Sequence, residues 1–154
     1  MTKSFFDPER CAWRSVEGDP DLPYKIQHDY TILGHDVAAG TLDMVLRWDG
    51  NGGHCPMHRH ICTTSVLVIE GEQHLWDLNP DGSTGEHRVR RAGEYALTLR
   101  DAAPHLERGG DAGGIVFFGG HTDNGVLYEL LAPDMKVIAE VSIEGLVEDF
   151  QANT

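Results

Sequence analysis

His58 and His60 stand one residue apart in the run Gly52-Gly53-His54-Cys55-Pro56-Met57-His58-Arg59-His60. In an extended segment two such side chains project from the same face, about 7 Å apart along the strand. Both imidazoles can then reach a single metal ion at roughly 2.0 to 2.2 Å. A third ligand has to come from another part of the chain. His105 is the best candidate, because it follows a strand-like segment and the turn Asp101-Ala102-Ala103-Pro104, which could return the chain beside the first pair. Three neutral imidazoles suit Fe(II), Zn(II), Cu(II) or Ni(II), whereas Mg and Ca take oxygen ligands.

Histidines that hold metals usually donate the free ring N–H to a carboxylate or carbonyl. Glu107, two residues after His105, shares its face if the segment is extended and is the candidate for that role. His54 has the parity of His58 but is separated from it by Pro56, so it is expected either at the pocket rim or as a fourth ligand. His121 follows an apolar strand and is a candidate pocket residue. Cys62 has the parity of the histidine pair, which suggests a wall position; with Cys11 and Cys55 it makes three cysteines, with no CxxC pair and no disulfide framework implied. His28, His35, His74 and His87 lack partner spacing and are expected at the surface or in turns.

The elements that would carry these residues are strands. Short apolar and β-branched segments recur at 41–48, 63–71, 73–79, 94–100, 114–120 and 126–131, punctuated by DGNGG, NPDGSTG, RGGDAGG and APD, which have loop or hairpin chemistry. In the segment 41–48, Leu42, Met44, Leu46 and Trp48 fall on one face, the period of two of a half-buried strand. By the same alternation Met44, Leu46, Trp48, Leu97 and Phe117 are expected to form apolar walls around the metal. Residues 7–16 are expected to form a short helix, ended by the run GDPDLP, and Leu146, Val147 and Phe150 give 143–154 the spacing of a terminal helix. The expectation is one all-β domain: an N-terminal segment 1–29 packed on a β-barrel or jelly roll of residues 30–142, with short terminal helices.

Composition agrees with a packed domain. The 154 residues include 40% hydrophobic and 24% charged side chains, which excludes wholesale disorder, and 12 Lys plus Arg against 25 Asp plus Glu leave a net charge of −13. A balance that acidic argues against nucleic acid or an anionic membrane surface as partner. With no apolar run long enough to span a membrane and no signal-peptide pattern at the N-terminus, a cytoplasmic location is expected. Phe5, Phe6 and Trp13 are candidates to cover a neighbouring subunit, which suggests a homodimer.

The histidine motif resembles that of the cupins. Their first motif, a glycine, five residues, H-x-H, three or four residues, a glutamate, six residues and a glycine, is similar to Gly52, His58, His60 and Gly71 here; Gly93, Pro104 and His105 resemble the second motif with about one extra residue. The resemblance spans residues 40 to 120 and implies a cupin-type barrel with a divalent metal. Two departures stand out. The glutamate ligand is replaced by Thr64, or by Ser65 in the longer spacing, and Gly109 stands where an asparagine often ends the second motif. This resembles the three-histidine cupins that cleave β-diketones such as acetylacetone, or 2,4'-dihydroxyacetophenone, with Fe(II) and dioxygen, and the tail from VFFGG onward is similar to the closing segment of that group. The resemblance implies a small-molecule substrate bound as a bidentate enolate, with Thr64 bonding a metal-bound water or a substrate oxygen. Its alternatives are a Zn(II) or Ni(II) isomerase, cyclase or lyase that uses no oxygen, and a non-catalytic sensor domain.

Overall fold

A computed structural model describes residues 6–154. Strands dominate it, as the alternating apolar pattern requires: β1 (Arg14–Glu17), β2 (Gln27–Asp36), β3 (Thr41–Trp48), β4 (His58–His60), β5 (Thr63–Leu78), β6 (Thr84–Arg91), β7 (Tyr95–Thr98), β8 (His105–His121), β9 (Val126–Leu131) and β10 (Val137–Ser142). One helix, α1 (Ile143–Ala152), follows. The pairing is antiparallel in the order β1-β2-β3-β8-β4-β9-β10, while β5 also pairs with β8 and carries β6 and β7. The sheet curls into a β-barrel whose interior is closed by Leu42, Leu46, Trp48, Val66, Val68, Val116 and Phe118, all buried.

Two expectations about the elements are corrected. Residues 7–16 do not form a helix. A single 3-10 turn, Pro8–Arg10, is capped by Asp7 Oδ1 accepting from the Glu9 N–H at 3.1 Å, and the chain then enters β1, where Val16 pairs with His28. Nor is RGGDAGG a loop, for it lies inside the 17-residue strand β8. The glycines serve a bend. Gly71 of β5 pairs with Gly114 of β8 beside register shifts, and Gly71 and Gly113 have φ of +68° and +90°. A Cβ at Gly71 would meet the Gly113 carbonyl oxygen at 2.5 Å, and one at Gly113 the Trp48 oxygen at 2.5 Å. Only glycine allows both the left-handed backbone and so close an approach.

The helix α1 begins at Ser142, whose Oγ accepts from the Gly145 N–H at 3.0 Å. Its apolar face is laid on the barrel: Ile143 and Leu146 are buried, Val147 and Phe150 pack against the core, and the Phe150 ring lies 5.8 Å from that of Tyr30. Asp149 on the same helix accepts from the Tyr30 hydroxyl at 2.5 Å and from Arg14 Nε at 3.2 Å, so charge and packing hold α1 to β1 and β2. No helix among the described residues is long and apolar enough to cross a membrane. Phe5 lies outside the described residues. Phe6 and Trp13 meet edge to face at 6.1 Å, and Trp13 packs under Arg47 of its own chain.

Candidate metal centre

In β4 the period of two turns His58 and His60 inward and leaves Arg59 outside, where it pairs with Glu129. His105 opens β8, and its backbone is paired directly with that of His58. The three side chains, each at most 6% exposed, meet with ring centroids 4.3 Å (His58–His105), 5.1 Å (His58–His60) and 5.1 Å (His60–His105) apart. One ring nitrogen from each lies within 4.8 Å of the others. That convergence suits a single divalent metal ion.

The second nitrogens are held by the chain. His58 Nδ1 donates to the Pro56 carbonyl at 2.7 Å, which leaves Nε2 as the ligand atom. His60 Nδ1 lies 2.9 Å from Thr64 Oγ1, which likewise frees Nε2. Burial, followed by the neighbouring His58, lowers the His60 pKa to about 3 and holds His105 well below the usual histidine range. Both imidazoles are therefore neutral near pH 7, the form that binds metal. Burial also raises the Cys55 thiol, with Glu107 beside it adding to the effect, so the sulfur stays protonated.

Glu107 is 2% exposed and has two distinct oxygens. Oε2 accepts from Gln73 Nε2 at 2.7 Å, and the other side of Gln73 accepts from Arg90 Nη1 at 3.2 Å. Oε1 lies 3.4 Å from His58 Nε2, the atom that faces the metal position. Gln73 is fully buried and fixes which oxygen turns toward the centre.

A cavity of about 370 Å³ opens from this cluster toward α1. His58, His60 and Glu107 line it together with the apolar side chains of Met44, Leu46, Phe118, Leu130, Val141 and Leu146.

No protein-family profile matches the sequence, and no curated protein is similar to it in sequence. Solved structures are similar in fold. An RmlC-like cupin protein from Ralstonia eutropha superposes with a TM-score of 0.68 at 17% identity, covering 99% of this chain and 87% of that one. An acetylacetone dioxygenase from Acinetobacter johnsonii gives 0.66 at 12% identity over 100% and 93% of the two chains. A cupin 2 conserved barrel domain protein from Rhodopseudomonas palustris gives 0.63 at 13% identity over 88% and 89%. The chain has a cupin fold.

Within the cupin barrel the residues singled out in the sequence divide. Met44 and Leu46 line the cavity, whereas Trp48 is buried in the core away from it. Leu97 is 51% exposed on β7, which among the described residues pairs only with β5, and His121 is exposed at the end of β8. Phe117 points outward and is half-buried, while Phe118 faces the cavity; the strand is right and its parity is off by one. His54 is half-buried between the Tyr24 and Trp76 rings, at 5.8 and 6.0 Å, and does not join the three histidines. Thr64 contacts the His60 ring rather than the cavity, and Cys62 is buried 3.4 Å from its hydroxyl, also off the cavity.

Four further residues belong to the site. His28, expected at the surface or in a turn, is 9% exposed on the cavity wall, and burial, with His58 nearby, brings its pKa to about 4. Tyr128 lies across from His60 on β9, its ring 5.6 Å from that of His58, and burial raises its hydroxyl pKa. Cys55 and Gln73 flank Glu107. Alternation within β2 and β9 carried a signal for His28 and Tyr128, but only pairing with other strands shows which face meets the metal. His74 and His87, also expected to stand alone, are hydrogen-bonded to each other at 2.9 Å on the outside of the barrel.

Proposed function

We propose that the protein is an Fe(II)-dependent dioxygenase that cleaves a C–C bond of a β-diketone or hydroxyketone bound as its enolate through two oxygens. The carrying observation is the donor set: three buried histidines converge, and Thr64, at the place of the glutamate ligand, binds the back of His60. The fold shared with an acetylacetone dioxygenase supports the reading. Divalent iron held by the histidines supplies Lewis acidity toward two substrate oxygens and one-electron chemistry toward dioxygen.

The chain's own residues do the rest. With no carboxylate among the three donors, the centre keeps a charge near +2, which favours an anionic bidentate ligand over a neutral one. The substrate must lose a proton to become that anion. Glu107 Oε1 faces the centre while Gln73 occupies Oε2, so Oε1 is the atom that takes the proton. The apolar walls exclude water from the enolate, and Pro56 and Thr64 hold the rings of His58 and His60 in place.

The test is aerobic incubation of iron-loaded protein with a panel of diketones and hydroxyacetophenones, recording oxygen uptake. Consumption of oxygen in step with substrate loss is the expected result, and no turnover across the panel overturns the proposal. Zinc in protein purified without added metal, with no oxygen uptake, would move the assignment to a hydrolytic or isomerising cupin.

A further inference from the structure

Strand β7 leaves an edge of the sheet uncovered. It pairs with β5 on one side, Leu97 beside Ser65 and Tyr95 beside Leu67, and among the described residues no strand lies on its other side. The Glu94 carbonyl accepts from the Val68 N–H of β5 at 3.1 Å. Backbone groups alternate in direction along an antiparallel pair, so Ala96 and Thr98 face β5 while Tyr95, Leu97 and Leu99 turn theirs to the open edge. Their side chains are uncovered as well. All three are at least half exposed, in a stripe on the outer face continuous with Leu67 and the outward Phe117. Exposed edges normally carry a lysine, a proline or a bulge that blocks further pairing, and Tyr95–Thr98 has none of these.

We infer that β7 pairs with β7 of a second copy of this chain, antiparallel across a two-fold axis at Leu97, so that the two sheets join into one in a homodimer. The run Glu94-Tyr95-Ala96-Leu97-Thr98-Leu99-Arg100 is self-complementary about that centre. Leu97 meets its own copy, Tyr95 meets the partner's Leu99, Ala96 meets the partner's Thr98, and Glu94 meets the partner's Arg100. The axis makes each unlike pair occur twice. Both charges have capacity to spare, since Arg100 holds the exposed Asp123 through Nη1 alone at 2.8 Å and Glu94 uses one oxygen on the Arg91 N–H. A chain of net charge −13 repels its copy in most orientations, whereas this register opposes unlike charges at both ends, so electrostatics select it. Cross-strand contact between Tyr95, Leu97 and Leu99 then covers apolar surface that is open in one chain. The joined edge also stands one strand behind the metal centre, for Thr98 pairs with Thr64, whose hydroxyl holds the His60 ring.

Sedimentation velocity of the full-length protein over a range of concentrations reads the assembly. The interface is a single strand pair, so a dimer with a micromolar dissociation constant is expected. Leu97→Lys sets like charges against each other on the axis and is expected to raise that constant about ten-fold or more. Glu94→Arg and Arg100→Glu, each alone, oppose like charges at both ends and are expected to weaken the dimer. Mixed in equal amounts, the two variants oppose unlike charges again and are expected to form a heterodimer as strong as the parent. The three substituted side chains are exposed, and metal bound per chain checks that each variant is folded. A parent that stays monomeric throughout overturns the inference. So does an assembly that none of the variants weakens, and so does a failure of the mixed variants to associate, which would place a different register or a different face at the contact.

Discussion

Thr64 Oγ1 lies 2.9 Å from His60 Nδ1 in a buried contact. Where the cupin motif has a carboxylate that would join the metal, this chain has a hydroxyl that holds a ligand's back. The consequence for affinity is direct. Thr64→Val is expected to weaken metal binding roughly 10- to 100-fold and Thr64→Ser to restore it. Competition against a chromophoric chelator measures both, and a valine variant with undiminished affinity would show that the hydroxyl does not orient the ring.

Glu107→Gln keeps the shape of the side chain and its contact with Gln73 but removes the proton acceptor. Oxygen uptake is expected to fall about 100- to 10,000-fold with metal content unchanged. The check is kcat beside metal analysis of the same sample. A variant that turns over at the original rate would require another base.

The metal-free protein should lose stability in acid. His28 and His60 have folded-state pKa values of about 4 and about 3, because burial disfavours their charged forms, and His105 is shifted the same way. Between those values and the ordinary histidine value near 6.5, the unfolded chain binds protons that the folded chain does not. Stability is thus fully present above about pH 6.5 and declines as pH falls, at up to about 1.4 kcal/mol per pH unit for each group. Denaturant midpoints at pH 7.5 and pH 5.0 measure it. A midpoint unchanged between them would contradict the burial argument.

Gly113→Ala tests the bend in β8. The residue sits at φ +90°, and an added Cβ would press on the Trp48 carbonyl at 2.5 Å. A loss of roughly 1 to 3 kcal/mol is expected in chemical denaturation, from strain at a position only glycine tolerates. Stability equal to the parent would show that the bend relaxes freely.

That bend also marks where sequence reasoning stops. The pair His58 and His60 was legible because a strand's period of two is local, and β3 was legible from Leu42 through Trp48 for the same reason. RGGDAGG read as a loop because glycines usually punctuate strands; here they let two long strands, β5 and β8, turn together. Phe117 and Phe118 exchanged places because a one-residue change of parity leaves composition untouched. Tyr128 reaches the cavity through the pairing of β9 with β4, strands distant in the chain, which no local pattern records.

Isotopically labelled dioxygen tests the central claim most directly. Iron-loaded protein turning over 1-phenylbutane-1,3-dione under labelled gas is expected to release two fragments that each carry one labelled oxygen atom, as dioxygen cleavage of the C–C bond requires. Fragments that carry no label, formed without oxygen consumption, would contradict it and assign the three histidines to a hydrolytic centre.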